Sequence, residues 1–260
     1  MAKAKYDLEN GVALITLSDP ATLNAISVEM TAELDALFDR AVSEARCIVL
    51  TGEGRGFSSG ANLASGAPPM ADDGKPDLGA RLEMTFNPFV TKLRDLPIPY
   101  ITAVNGAAAG VGCSFALLGD LIIAGESAYF LQAFRRIGLV PDGSATYHLP
   151  RMIGRARAME MMMLGEKIPA KTALAWGLVN RCVPDVDLLL TAKALALDLA
   201  NGPTKTLGMI RRLAWSSLDN TWEQQVQAER HAQKIAGRTE DFREGVQAFF
   251  QKRPANFKGS

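Results

Sequence analysis

The chain has 260 residues, 48% apolar and 22% charged, a balance that excludes a disordered segment and suits one main domain with an appended piece. Lysine plus arginine equals aspartate plus glutamate at 28 each, so no net positive field draws nucleic acid or an anionic membrane surface. Three scattered cysteines and two histidines argue against a disulfide framework, a zinc site or a catalytic design built on several histidines. The opening "MAKAKYDLENG" lacks the apolar stretch of a signal peptide, and no apolar run reaches the length of a membrane span. A reducing, cytoplasmic setting is expected.

In chain order, "GVALITLSDP" (Gly11–Pro20) is β-branched, apolar and stopped by Asp-Pro, which predicts a buried strand. A helix follows, capped by Ser27, with Met30, Leu34, Leu37, Phe38 and Val42 at helical spacing. "CIVLTG" (Cys47–Gly52) is a second strand, so the chain starts as an α/β fold. Residues 65–77 read as a long loop, and 78–96 as a helix interrupted near Pro88. "IPYITAV" and "DLIIAG" are further strands, separated by a Gly-rich turn that opens an apolar helix. Between Pro97 and Pro150 charges are sparse, which marks the buried centre. After Pro150 the pattern turns helical. From about Gly202 the helices read as an appendage whose stripes (Leu207, Ile210, Leu213; Phe242, Val246, Phe249, Phe250) suit an oligomer interface.

Two glycine-rich turns, "GRGFSSGANL" and "NGAAAGVGCS", each follow a strand, where open α/β sheets bind ligands. Neither is a nucleotide motif. Two readings stay open. The glycines permit tight packing, or the turns aim two backbone N–H groups at a developing oxyanion, one from the Gly60–Ala61 turn and one from a helix starting at Gly110. Asp142, in "GLVPDGSATYHLP", is equally open: a Pro-Asp-Gly turn residue or an acid/base.

"GFSSGANL", "NGAAAGVGCSFALLGDLIIAGESAYF", "GLVPDGSATYHLPRMIGRARAMEMMMLG", "WGLVNRCVP" and "FREGVQAFFQKRPANF" stand in an order and spacing that resemble the enoyl-CoA hydratase/isomerase (crotonase) superfamily. The resemblance implies an α/β crotonase-like spiral of ββα units. It implies an acyl-CoA-binding core over 1–200 and, over 201–260, a helical region that makes trimers, often paired into hexamers. It implies a coenzyme A thioester as substrate, with no further cofactor and no metal. The oxyanion-hole N–H groups fall on Ala61 and Val111. Ser59, Gly60, Asn62, Leu63, Gly110, Ser114 and Phe134 are expected to line the thioester site. Phe249 and Lys252 match the segment that covers the CoA adenosine phosphate, with a packed helix end as the plain alternative. The place of a CoA-binding lysine is Ala21.

The two glutamates of the family's hydratases fall, by register, on Ser114 and Phe134, neither of which is an acid/base near neutral pH. What remains is Asp142, which resembles the aspartate of a branch that includes phenylacetate-pathway isomerases. A double-bond shift needs one base to take and return a proton, and a buried carboxylate has its pKa raised toward that task. Four alternatives stay open: a hydratase with a relocated acid (Glu83 or Asp142), a chlorobenzoyl-CoA-dehalogenase-like enzyme, a non-catalytic acyl-CoA binder, and an RNA-binding member, which the neutral charge disfavours. The dehalogenase layout has tryptophan where this chain has Phe134. His148 is expected to hydrogen-bond structurally rather than shuttle protons. Met161–Met163 are expected in helix core.

Overall fold

The computed structural model describes residues 2–260 except Ser65, Ala67 and Pro68. Its ten strands are β1 (Ala4–Glu9), β2 (Val12–Leu17), β3 (Cys47–Gly52), β4 (Gly56–Ser58), β5 (Tyr100–Val104), β6 (Ala107–Ala109), β7 (Leu121–Gly125), β8 (Tyr129–Leu131), β9 (Ile168–Pro169) and β10 (Arg181–Val183). The α-helices are α1 (Val28–Glu44), α2 (Leu78–Arg81), α3 (Asn87–Asp95), α4 (Val111–Ala116), α5 (Ala145–Leu164), α6 (Ala170–Trp176), α7 (Leu188–Ala200), α8 (Thr204–Ser216), α9 (Trp222–Ala236) and α10 (Glu240–Gln251).

Six strands form one sheet in the order β1-β2-β3-β5-β7-β10, parallel except for the β1–β2 hairpin. Four short strands, β4-β6-β8-β9, form a second sheet. The chain steps from the first sheet to the second at β3–β4, β5–β6 and β7–β8, and each step advances the spiral by one turn. This is the crotonase-like fold that the motifs imply.

The central strands carry apolar residues on both faces, as parallel strands covered on both sides must. Along β3, Ile48 and Leu50 enter the main core with Met30, Leu34 and Phe38 of α1. Cys47 and Val49 face the other way, toward Leu188, Ala192, Ala196 and Ala200 of α7. Those four recur every fourth residue, and three are alanines that let the helix lie close to the sheet. Ser27 caps α1, accepting the Met30 N–H at 3.1 Å. Phe38, Phe89, Tyr100 and Phe115 meet edge to face, with centroids 5.2–5.6 Å apart, and lock α1, α3 and α4 together.

The structure adds what sequence periodicity does not reveal. β1 is a mostly exposed edge strand rich in charge, so no apolar run marks it. Its signal is Asn10-Gly11, both in left-handed conformation, the turn that joins it to β2. The helix over 78–96 is broken before Pro88 by a π turn, Leu82–Phe86, and Pro88 sits in the first turn of α3.

The expected division at residue 200 falls between α7 and α8. α8 is fastened to the rest of the chain by Arg211, which is buried. Its guanidinium bonds Asp120 at 2.7 Å and the carbonyls of Leu93, Arg94 and Leu96 at 2.5–3.0 Å. Arg46 likewise binds Thr204 Oγ1, Gly202 O and Phe257 O. α9 has no buried residue, and Phe242, Phe249 and Phe250 of α10 stand exposed.

Candidate active site

The site is built where the two glycine turns meet. After β4 the chain turns at Gly60 (φ +102°), and a side chain there would stand 3.0 Å from Ala109 O. Only glycine allows this conformation and this approach together. Across it lies Gly110, the N-cap of α4. The first turn is held from behind by Asn24, fully buried, whose Nδ2 donates to Glu53 O and Gly56 O. Ser58 Oγ donates to Asn24 O and accepts the Gly60 N–H. The sequence reading missed Asn24 and Ser58. Asn24 left one signal, an amide in a mostly apolar stretch.

Ile26 pairs with this turn: its N–H donates to Gly60 O, and its carbonyl accepts the Asn62 N–H, both at 2.8 Å. The Ala61 N–H therefore points away from Ile26. The Val111 N–H opens α4 and has no intrahelical acceptor. Among the described residues neither N–H has a protein acceptor. Val111 is buried, whereas Ala61 is open to solvent.

Asp142 sits on the same helix end. Gly143 is left-handed, and a side chain there would lie 2.7 Å from Ser114 Cβ and 3.4 Å from Val111 Cγ2. Ser114 Oγ donates to the Asp142 carbonyl at 2.9 Å. The Asp142 carboxylate is half-buried, and among the described residues its buried Oδ1 has no hydrogen-bond partner. Desolvation pushes its pKa up to about 6. The Phe134 ring closes the other side, against Gly110. Gly143→Ala should cost about 1–3 kcal/mol through the clash with Ser114 and the left-handed backbone, read by urea unfolding.

The structure thus brings together Gly60, Gly110, Val111, Ser114, Phe134 and Asp142, with Ala61 next to Gly60. Ser59 and Asn62 flank this cluster, and Leu63 is exposed just beyond it. Ser59 Oγ donates to Thr22 O, so its hydroxyl ties loop to loop. Phe249, 79% exposed, lines a separate depression with Phe242, Val246 and Phe257, and Lys252 is the left-handed cap of α10. Glu83, Asp72 and Asp73 are exposed, and Asp73 pairs with Lys75. His148 is buried against Tyr147 and Trp215. Of the methionine run, Met161 is core, Met162 half-buried and Met163 exposed. Among the described residues no cluster of three His, Cys, Asp or Glu could hold a metal, and no helix is long and apolar enough to cross a membrane.

The chain matches the model of the enoyl-CoA hydratase/isomerase family over residues 7–260. A 1,2-epoxyphenylacetyl-CoA isomerase of Escherichia coli strain K12 is 44% identical over 255 residues, with 97% of each chain covered. A probable enoyl-CoA hydratase of Rhodobacter capsulatus is 43% identical over 255 residues, covering 98% of this chain and 97% of that protein. The crystal structure of a putative enoyl-CoA hydratase from Streptomyces coelicolor A3(2) superposes with a TM-score of 0.91 at 32% identity, covering 99% of this chain and 94% of the other.

Proposed function

The chain belongs to the enoyl-CoA hydratase/isomerase family, and within it we propose an isomerase that moves the double bond of an enoyl-CoA thioester with Asp142 as its single acid/base. The observation that carries this reading is one carboxylate, half-buried and, among the described residues, unpartnered at Oδ1, on a turn that packs at Gly143 against Ser114 and Val111 of α4. The two hydratase positions hold Ser114 and Phe134, which supply no second acid.

In this reading the thioester oxygen lies between the Ala61 and Val111 N–H groups. Asp142 removes the proton from C2 of a 3-enoyl thioester. The C2–H electrons move into the C1–C2 bond and the carbonyl π electrons move onto the thioester oxygen, which carries the charge of the dienolate. As that charge returns to the carbonyl, the C1–C2 π electrons form the C2–C3 double bond and the C3–C4 π electrons take the incoming proton at C4. The same carboxyl returns a proton to C4, giving the 2-enoyl thioester. Atoms and electrons balance with no cofactor and no water. Two preorganised N–H groups lower the barrier because they meet the charge only as it develops. A carboxylate with pKa near 6 is a stronger base than an exposed aspartate and is still ionised at neutral pH.

The base must be ionised, so kcat/KM for a 3-enoyl-CoA should rise with pH through about 6 and then level off. A profile flat from pH 5 to pH 8 contradicts the assignment of Asp142. The hydratase alternative draws on the names of several relatives, the Rhodobacter capsulatus and Streptomyces coelicolor A3(2) proteins among them. Its relocated acid would be Asp142 or Glu83, which is exposed on the π turn. Neighbouring copies covering the exposed Phe242, Phe249 and Phe250 in a closed ring of three would give the trimer implied by the resemblance, and two such rings the hexamer. Sedimentation at the mass of one chain contradicts that assembly.

A further inference from the structure

We propose that His148 is a positioning residue for Asp142, acting through Ser144 as a donor from Nε2. The inference rests on the isomerase reading of Asp142. Ser144 is a non-glycine residue held at φ +64°, directly after the left-handed Gly143. The left-handed region is unfavourable for an L-residue with a Cβ, so local contacts must hold it there. Its backbone carbonyl accepts the N–H groups of Tyr147 and His148 at 2.9 and 3.2 Å. Its hydroxyl donates to Gly143 O at 2.5 Å, and His148 Nε2 lies 3.3 Å from that hydroxyl's own oxygen, Ser144 Oγ.

The proton count fixes the direction of the last contact. A serine hydroxyl has one hydrogen, and here Gly143 O takes it. Nε2 must therefore carry the imidazole proton and donate to Ser144 Oγ. Nδ1 is then bare, which fits its surroundings: it is buried and, among the described residues, has no partner. A protonated Nδ1 would bury an unsatisfied N–H. Burial and the nearby Arg151 push the imidazole pKa down to about 4, so the ring stays neutral at physiological pH.

The chain of donors runs from His148 to Ser144 to the Gly143 carbonyl, and Ser114 grips the Asp142 carbonyl. Both carbonyls flanking Gly143 are held, one from α4 and one from α5. That fixes the direction in which the Asp142 side chain leaves the turn. His148 itself packs on Trp215 at a centroid distance of 5.9 Å. It touches no reacting atom.

The test compares His148→Phe, which keeps the packing on Trp215 and removes the donor, with His148→Gln, which can place a donor near the Nε2 position. Asp142→Asn serves as control, and all are assayed on a 3-enoyl-CoA. His148→Phe should lower kcat about tenfold with KM within about twofold, as a misaimed base would. His148→Gln should recover most of that loss. Separately, 15N spectra of the wild-type imidazole should show a protonated Nε2 and a bare Nδ1, with Nε2 shifting in Ser144→Ala. Wild-type kcat in His148→Phe, a His148→Gln variant as slow as His148→Phe, or a protonated Nδ1 overturns the proposal. Full activity in Asp142→Asn instead overturns the function reading, and the spectra then decide the Ser144 contact by themselves.

Discussion

Asp142→Asn is expected to lower kcat for double-bond migration by about 10²–10⁴-fold, the range a general acid/base contributes, with KM little changed. The amide is nearly the same size, so it keeps the Pro-Asp-Gly turn and the Ser114 bond to the residue 142 carbonyl. It cannot take a proton from C2. The same change should raise thermal stability at neutral pH. The folded pKa of Asp142 is raised to about 6, above the roughly 3.9 of an unfolded aspartate. A raised value means that the stabilising form is the protonated one. Its contribution is complete below about pH 4 and is lost as pH rises through about 6. At pH 7 the wild type therefore holds an ionised, poorly solvated carboxylate that the amide variant lacks. A melting temperature that rises while kcat collapses is the signature of a residue kept for chemistry at a cost in stability. Equal losses of both would mark Asp142 as a turn residue only.

The second large effect concerns stability alone. Arg211→Ala is expected to destabilise the fold by about 3–5 kcal/mol, because it removes a buried guanidinium that serves both Asp120 and three backbone carbonyls. At roughly 2–4 °C per kcal/mol for a chain of this size, the melting temperature should fall by on the order of 10 °C. Three carbonyls at the end of α3 lose their donor at the same time, and a cation at a helix C-terminus is favourable in itself. Arg211→Lys should recover only part of the loss, since one ammonium cannot serve a carboxylate and three carbonyls in a fixed fork. Adding Asp120→Asn to Arg211→Ala should recover another part by removing the stranded charge. Denaturant unfolding of the four proteins checks this. A loss below about 1 kcal/mol in Arg211→Ala would mean that the pair behaves as a surface ion pair.

The fold was legible wherever burial is two-sided. The strands at Cys47–Gly52 and Tyr100–Val104 are unbroken apolar runs, and the helix after Ser27 shows both its cap and its stripe. The second sheet was not legible. Its strands are two or three residues long, and β6 is Ala-Ala-Ala, which has no period to detect. The glycine turns were visible as glycines, but their meeting depends on contacts between Gly60 and Ala109, far apart in sequence.

Asp142 shows the same limit more sharply. Its Pro and Gly neighbours announce a turn, and the missing glutamates leave it as the candidate acid. Nothing local says that Ser114, 28 positions earlier, grips its carbonyl, or that Val111 packs beside Gly143. Ser114 read as an empty hydratase position, and in the fold it is a brace. Phe249 and Lys252 were placed by register alone. In the single chain they stand on an exposed helix end, and whether they meet coenzyme A depends on what covers that face.

The central claim is that one carboxylate carries one proton between two carbons. It is tested most directly by incubating a 3-enoyl-CoA with the wild-type protein in D2O and analysing the product by NMR and mass spectrometry. The expected product is unhydrated 2-enoyl-CoA with less than one deuterium per turnover at C4, because part of the proton taken from C2 is returned before it exchanges. A 3-hydroxyacyl-CoA as the main product would contradict it.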